Sequence, residues 1–452
     1  MSKLNVSQRS FPERQMSVKT VFVLGLVIIM IAGMMLSAIP RPALASAGDM
    51  KGRQAEAQAA ASTEIVIHWN TIALRTSIQV GGQNQPQSQI YLAPVQAAVY
   101  NAVVAIAGGY QPYHSELAPR PGASIEAAVA VAAHAMLGHH FPGQQTILDA
   151  DLAASLAAIP DGSAKAEGIE VGLEAAAEVI SLRQGDGLEA DIGFRMPEPA
   201  SGVWQLPSGI GPLTPWISQL RPYLLDKPDQ FRPSPPPKLS SREWAAQYEE
   251  VRLMGRVDSP YRTAEQTDVA RFWTMHAPLQ HNLAFQQFAS QRELGAVETA
   301  RLFAIGNLVG ADALIACFDA KYHFLFWRPQ FAIPLGDYDG NPATMGDPTW
   351  QPLLGTPNHP EYPSAHSCLT SSIAEVYAAF VGNQRIELDI NSTVPNLMQP
   401  TRHYKLAQDL VHEIINARVW GGIHYRESDI KGANLGRMVA HWALQRYFLP
   451  TP

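Results

Sequence analysis

Apolar residues recur at helical spacing over most of this chain, and alternating strand patterns are scarce. The stretch from Glu64 to Ala107 shows this spacing first, and the alanine-rich segments 124–138 and 164–184 continue it. Apolar residues at this spacing, supported by good helix formers, predict helices that pack against one another. The same pattern predicts further helices at 241–254, 264–274, 280–292, 297–326, 364–381, 404–419 and 431–447. We therefore expect a mainly α-helical protein.

The N-terminus carries a different pattern, which is typical of a targeting segment. Basic residues precede an uncharged apolar run from Val21 to Ile39, and the sequence Ala-Leu-Ala follows at 43–45 as a cleavage pattern. We predict a signal peptide over 1–47 and a flexible polar arm over 48–63. The apolar run is long enough to span a bilayer, so a retained anchor is the alternative. After cleavage we expect a secreted or periplasmic protein that is not attached to a membrane.

The rest of the chain is predicted to form a single α-helical domain over 64–452. Within it, residues 195–240 are rich in proline and predict a long irregular connection, while 264–448 form the half that carries the candidate active site. Hydrophobic residues are 46% of the chain and charged residues 16%, which fits a large core. The net charge of −7 argues against nucleic acid as a partner. An oligomer is compatible with the sequence.

Cysteines and clustered histidines leave two structural alternatives open. Cys317 and Cys368 could form a disulfide in an exported protein, or they could be buried free thiols. His134, His139 and His140 could suggest a metal site. Since no carboxylate accompanies them in the sequence, a structural role is favoured.

Candidate chemistry concentrates in three short stretches, of which the first is Lys321-x6-Arg328-Pro329. Seven residues are about two helical turns, so both cations are predicted to lie on one helical face. Buried cations on an apolar helix require an anion. An ion pair with Asp319 is the alternative explanation.

The second stretch is Pro363-Ser364-Ala365-His366, which lies directly before an apolar helical run. Proline favours the first turn of a helix, and the unpaired N–H groups of that turn form an anion site. The Ser364 hydroxyl adds a donor, and His366 could transfer a proton. His359 and Glu361 precede this stretch, and we expect them to line its rim.

The third stretch is Arg418-x5-His424, with a glycine pair between the two residues. The glycines should end the helix, so that His424 can turn back toward Arg418. Glu427 and Asp429 are the candidates to orient the His424 ring through its other nitrogen.

Together the three stretches resemble the signature of the vanadium-dependent haloperoxidase and type 2 phosphatidic acid phosphatase superfamily. That signature is K-x6-R-P, P-S-G-H and S-R-x5-H-x3-D. The resemblance extends from roughly Ile65 to Phe448 and is greatest to bacterial secreted members of the haloperoxidase branch. It implies a helical bundle of the vanadium haloperoxidase and acid phosphatase type.

The resemblance also implies which residues hold the cofactor, vanadate. Lys321, Arg328 and Arg418 would neutralise its equatorial oxygens. The Ser364 hydroxyl and the Ala365 N–H would donate to the same oxyanion. Phosphate would compete for this site.

The two histidines receive separate roles from the resemblance. His424 would be the axial ligand to vanadium, and His366 would be the acid–base group that helps hydrogen peroxide bind. The implied function is a peroxidase that oxidises halide to hypohalous acid, which then reacts with a small organic acceptor. His359 occupies a position that is an aromatic residue or a histidine in related haloperoxidases. A histidine there resembles the bromoperoxidases, so bromide is favoured over chloride.

Two other functions remain as alternatives. A secreted acid phosphatase would use His424 as the nucleophile, through a phosphohistidine, and His366 to protonate the leaving group. A non-catalytic exported binding protein is disfavoured because the cations and both histidines are intact.

The chain departs from the signature at three positions. Ala365 replaces glycine and Ala417 replaces serine, while Ser428 stands where the signature has aspartate. Which acid supports His424 is therefore open between Glu427 and Asp429.

Overall fold

The computed structural model describes residues 62–207 and 209–451. The predicted signal peptide, and the predicted arm up to residue 61, lie outside the described residues. Residues 62 and 63 of that arm are already helical. The described residues all belong to one compact unit.

The described chain is mainly helical, which confirms the predicted fold class. Helix α1 spans 62–74 and continues as a π-helical turn over Arg75–Val80. The following helices are α2 (Gln85–Ala107), α3 (Ile125–His140), α4 (Gln145–Ala157), α5 (Ser163–Leu182), α6 (Arg242–Met254), α7 (Ala264–Phe272), α8 (Ala277–Gln291), α9 (Ala296–Phe324), α10 (Pro329–Ala332), α11 (Ala365–Val381), α12 (Ala407–Trp420) and α13 (Arg426–Leu444).

Two long apolar helices, α2 and α9, pack against each other in the centre of the bundle. By length and composition alone both could cross a membrane, and both are mostly buried inside the protein. Such burial is what the central helices of a large helical core require. Helix α9 also packs on α11, and α11 on α13, so the core helices position the ends of all three candidate stretches.

A small antiparallel hairpin interrupts the helical pattern. Strands β1 (Arg385–Asn391) and β2 (Thr401–Leu406) pair with Leu388 opposite Tyr404. The prediction of a helix over 404–419 was therefore wrong at its start, since β2 continues to Leu406. Burial alternates along both strands, so the strand period of two is present in the sequence. The strands have only seven and six residues, and this short pattern was missed.

The proline-rich connection 195–240 contains one regular element in its described part, a 3-10 turn at Pro215–Gln219. Trp204 is buried, and its N–H donates to the Leu325 carbonyl at 2.7 Å. The Leu213 N–H donates to the Asn358 carbonyl, also at 2.7 Å. The connection thus lies on the loops that carry the candidate site.

Candidate active site

The first stretch does not form the single helical face that its spacing suggested. Helix α9 ends at Phe324 because Leu325 adopts left-handed backbone with φ of 50°. Arg328 lies beyond that end, as the N-cap residue of the short helix α10. A chain reversal, rather than helical periodicity, brings Arg328 back toward Lys321. The prediction that both share one face was wrong, although both side chains are fully buried.

Lys321 and Arg328 are held by one loop, residues 359–361. The Lys321 ammonium donates to the carbonyls of Pro360 and Glu361, each at 2.9 Å. The Arg328 Nε donates to the His359 carbonyl at 3.1 Å. The alternative partner for this stretch, Asp319, instead forms a two-point ion pair with Arg232.

Helix α11 begins where the second stretch predicts, with Ser364 as its N-cap residue, but Pro363 precedes this cap and does not lie in the first turn. The N–H groups of a first helical turn have no acceptor within the helix, so they remain available to an anion. Ala365 is the first residue of α11 and has helical backbone, so glycine is not required there. The replacement of glycine therefore leaves the N–H donor in place.

The third stretch also bends as predicted. Helix α12 ends at Trp420, and Gly422 has φ of 74°. A Cβ at Gly422 would lie 2.4 Å from the Gly255 carbonyl oxygen, so a side chain is excluded sterically as well. Arg418 donates from Nη1 to the Trp273 carbonyl at 3.1 Å, while its Nε has no partner. His424 follows the bend and is buried.

The acid that orients His424 is Glu361, which the sequence analysis had placed on the rim. Glu361 is fully buried, and its Oε1 lies 2.7 Å from His424 Nδ1 and accepts from the Tyr425 N–H at 3.1 Å. Its Oε2 accepts from the Ser428 hydroxyl at 2.5 Å. Ser428 stands in place of the signature aspartate. Its hydroxyl donates to Glu361, and Glu361 in turn orients His424.

Neither residue proposed for this role performs it. Glu427 forms a helical ion pair with Lys431 at 3.3 Å on the partly exposed side of α13. Asp429 is buried, and its Oδ1 accepts from the Ser367 hydroxyl at 2.8 Å. In the sequence, the feature that could have identified Glu361 is its position two residues before Pro363, at the start of the second stretch.

The hydrogen bonds of His424 determine which of its nitrogens carries the proton. Arg328 Nη1 lies 3.1 Å from His424 Nε2, and a guanidinium can only donate. Nε2 must therefore be the acceptor, and Nδ1 carries the proton that it donates to Glu361. Burial, followed by the nearby Arg328, holds the pKa of His424 well below its usual range. The ring is neutral, with its lone pair directed at the cations.

Burial dominates the electrostatics of the site. It lowers the pKa of Lys321 to about 8 and the pKa values of Arg328 and Arg418 to about 10. It raises the pKa of Glu361 to about 7 and that of Asp429 to about 8. Each shift disfavours the charged form of an incompletely compensated group. An anion placed among the three cations would relieve part of that cost.

Buried polar atoms without a hydrogen-bond partner gather at the same place. They include Ser364 Oγ, His366 Nε2, Arg418 Nε and Asp429 Oδ2. The Ser364 hydroxyl is near enough to Asp429 to lower the pKa of that carboxyl, yet the two form no hydrogen bond of normal geometry. Three of these atoms belong to the second and third predicted stretches, and Asp429 follows His424 by five residues. Ser364 Oγ and Arg418 Nε are the donors among these atoms, and together with the buried cations they fit an oxyanion.

His366 differs from the other site residues because it is only half-buried. Burial, and next Arg418, lowers the pKa of His366 well below its usual range. It is therefore neutral at neutral pH and can accept a proton at its unpartnered Nε2. His366 thus brings a neutral ring with a buried, unpartnered Nε2 to the cluster of cations.

The structure distinguishes between a disulfide and free thiols for the two cysteines, and it shows what the clustered histidines contact. Cys317 and Cys368 are buried free thiols, and Cys317 Sγ donates to the Pro363 carbonyl at 3.5 Å. His134 Nε2 lies 2.8 Å from Asp149. Within residues 62–207 and 209–451, no group of three histidine, cysteine or acidic side chains is arranged to hold a metal ion.

Fold and site together define a helical protein with a buried cationic oxyanion site beside a neutral, oriented histidine. Residues 301–449 match the family model described as the VCPO second helical-bundle domain. A vanadium chloroperoxidase of Curvularia inaequalis is 24% identical in an alignment of 265 residues, and the match covers 44% of this chain and 43% of that protein. The chain thus matches less than half the length of this curated relative.

Solved structures show the same fold. A bacterial vanadium-dependent iodoperoxidase superposes with a TM-score of 0.68 at 21% identity, covering 88% of this chain and 97% of that one. The holo form of a bacterial vanadium-dependent chloroperoxidase gives a TM-score of 0.66 at 18% identity, covering 82% and 94%. The chain thus shares the helical-bundle fold of the vanadium haloperoxidases.

Proposed function

We propose that this protein is a secreted or periplasmic vanadate-dependent peroxidase that oxidises halide with hydrogen peroxide to hypohalous acid. The observation that carries the proposal is the state of His424. Its Nδ1 proton is fixed by Glu361 at 2.7 Å, and its Nε2 lone pair faces the buried cations. The names of its relatives, which are vanadium chloroperoxidases and an iodoperoxidase, support this chemistry over phosphoryl transfer.

The residues present fit vanadate as a resident group. Lys321, Arg328 and Arg418 supply three positive charges, and Ser364 Oγ is a buried hydroxyl without a partner. His424 Nε2 carries no proton, because Arg328 Nη1 donates to it at 3.1 Å. A neutral imidazole nitrogen of this kind is a usual metal ligand. Bound there, vanadate supplies the electrophilic centre at which peroxide is activated toward halide.

Each side chain then has a defined task. Arg328 uses four donor contacts to hold His359, Ile423 and His424, which leaves one N–H of its five for the oxyanion. His424 Nε2 would hold vanadate, and the Arg328 N–H that now donates to this nitrogen would then be free for the oxyanion. Glu361 keeps the ring in the required orientation throughout.

His366 moves the proton. It is neutral at rest, half-buried, and has an unpartnered Nε2 beside the cations. It can therefore take a proton from hydrogen peroxide as the peroxide binds and later give that proton to the oxygen that leaves the site. This is general acid–base catalysis.

We propose bromide as the halide because the histidine at position 359 resembles the bromoperoxidases. His359 lies against Phe318 with ring centroids 5.3 Å apart, and its Nδ1 lies 3.1 Å from Arg328 Nη2. A histidine is thus packed against one of the anion-binding arginines. An organic acceptor of the hypohalous acid completes the proposed reaction.

The experiment offers the apo-protein orthovanadate, then peroxide and bromide, with a halogenation dye as readout. Parallel samples receive a phosphomonoester without vanadate. We expect vanadate-dependent bromination that is lost in His424→Ala and kept in His441→Ala, an exposed histidine used as the control. Phosphomonoester turnover without any vanadate-dependent bromination would favour the acid phosphatase. Full activity in His424→Ala would exclude the ligand assignment.

A further inference from the structure

A second concave site lies in the N-terminal half of the described chain, among residues that the cationic site does not use. It is a cavity of about 250 Å³ between α2, the ends of α3 and α5, and the turn that follows α5. Its walls are formed mainly by apolar and aromatic side chains. They include Ile90, Tyr91, Pro94, Met136, Ile180 and Tyr223.

Proline explains how one wall is built. Pro94 lies inside α2 and has no N–H, so the Ile90 carbonyl four residues earlier lacks its usual helical donor. The Tyr223 hydroxyl donates to that carbonyl at 2.9 Å. The Tyr223 ring is thereby fixed across the cavity, with the Arg183 guanidinium 3.9 Å from the ring centroid.

The other polar groups of the wall are also paired. Tyr91 donates its hydroxyl to Glu189 at 2.7 Å. Arg183 donates to Asp186 at 2.8 Å and to the Pro222 carbonyl at 2.9 Å. These groups therefore offer no strong unpaired charge to a ligand.

His140 is the exception. Its Nε2 is buried without any hydrogen-bond partner, and the residue lines the cavity. Its ring packs edge-on to Tyr91 with centroids 5.2 Å apart, which fixes its orientation. A buried polar atom left unpaired costs free energy that a ligand could recover. The cavity thus combines aromatic walls with one unused polar atom.

We propose that this cavity binds a small uncharged aromatic alcohol, whose hydroxyl pairs with His140 Nε2 and whose ring packs between Tyr91 and Tyr223. A hydroxyl can donate or accept, so it suits either tautomer of the histidine. At ~30 Å³ for each water, the volume matches roughly eight waters, or a single substituted ring. Aromatic walls and a methionine favour a ring over an aliphatic chain.

Charge agrees with an uncharged ligand. Burial, and next His139, lowers the pKa of His140 to about 4, so the ring is neutral at neutral pH. A phenolate would find Arg183 already paired, and a cation would find Asp186 already paired. The site does not depend on the proposed peroxidase activity.

The test is a fluorine NMR titration of the full protein at pH 7 with 4-fluorophenol and with fluorobenzene, which lacks the hydroxyl. We expect wild-type protein to bind 4-fluorophenol about tenfold more tightly than fluorobenzene, as one recovered hydrogen bond implies. His140→Phe should remove that preference, and Met136→Trp should fill the cavity and abolish binding of both compounds. Thermal unfolding verifies that each variant is folded.

Several results would overturn the proposal. One is the absence of saturable 4-fluorophenol binding to wild-type protein at millimolar concentration. Another is equal binding of the two compounds by wild-type protein, a comparison that does not depend on any variant folding. Undiminished 4-fluorophenol binding by a folded Met136→Trp variant would place the ligand elsewhere.

Discussion

Replacement of Arg328 by lysine keeps the positive charge but removes the planar guanidinium with its several N–H donors. It therefore tests whether the donor geometry of Arg328, and not its charge alone, is needed for oxyanion binding. Arg328 contacts the His359 carbonyl, the Ile423 carbonyl, His424 Nε2 and His359 Nδ1 at 3.1, 2.7, 3.1 and 3.1 Å. A lysine has one nitrogen and cannot span both sides of this set.

The size of the effect follows from the contacts that are lost. A single ammonium can keep about two of the four hydrogen bonds, and each lost bond to a charged group is worth ~1.5–3 kcal/mol before relaxation. Allowing for relaxation, we expect a loss of about 2–4 kcal/mol in oxyanion binding. The lower limit corresponds to roughly 30-fold weaker orthovanadate affinity.

Isothermal titration calorimetry of the apo-protein with orthovanadate measures this loss. Arg437→Lys is the matched control, because Arg437 is a partly exposed residue that pairs with Glu375 at 3.5 Å. A surface pair of this kind contributes little, so the control should bind as wild type does. If folded Arg328→Lys binds orthovanadate within about threefold of wild type, the donor geometry of Arg328 is not what orders the site.

Three further predictions concern packing, buried hydrogen bonds and pH. Gly436→Ala would bring a Cβ to within 2.1 Å of the Cys368 carbonyl oxygen on α11, so we expect the unfolding midpoint to fall by several degrees. Gly143→Ala is the control and should be near neutral, because a Cβ there meets no atom within 4 Å. Asp312→Asn replaces a buried carboxylate that accepts three backbone N–H groups at 2.7–2.8 Å. We expect the free energy of unfolding, measured with denaturant, to fall by about 1–3 kcal/mol. An unchanged denaturant midpoint would contradict this. Because burial lowers the pKa of Lys321 to about 8, its charge is present below that pH and lost above it. Sulfate, whose charge is constant, should bind more weakly by calorimetry as pH rises from 7 to 9, and pH-independent binding would contradict this.

Sequence patterns were sufficient where a local rule acts over a few residues. Paired glycines predicted the bend before His424, and Pro363 predicted the start of α11. Helical periodicity failed at Arg328 because a left-handed Leu325 ends α9 first, and no strong breaker marks that position except the later proline.

The acid that supports His424 could not be chosen from the sequence, because the choice depends on which loop folds back. Glu361 is 63 residues from His424, whereas the rejected candidates are three and five residues away. Local spacing favoured the near residues, but the first turn of α13 directs Glu427 outward and Asp429 toward Ser367. The hairpin was a different case, since the alternation of Ile386, Leu388 and Ile390 is visible in the sequence.

The most direct test of the account is a crystal structure of the apo-protein soaked with orthovanadate. We predict tetraoxo density among Lys321, Arg328 and Arg418, with vanadium bonded to His424 Nε2 and Glu361 still hydrogen-bonded to Nδ1. Vanadate bound elsewhere, or bound among the cations without a bond to His424, would show that this histidine is not the ligand.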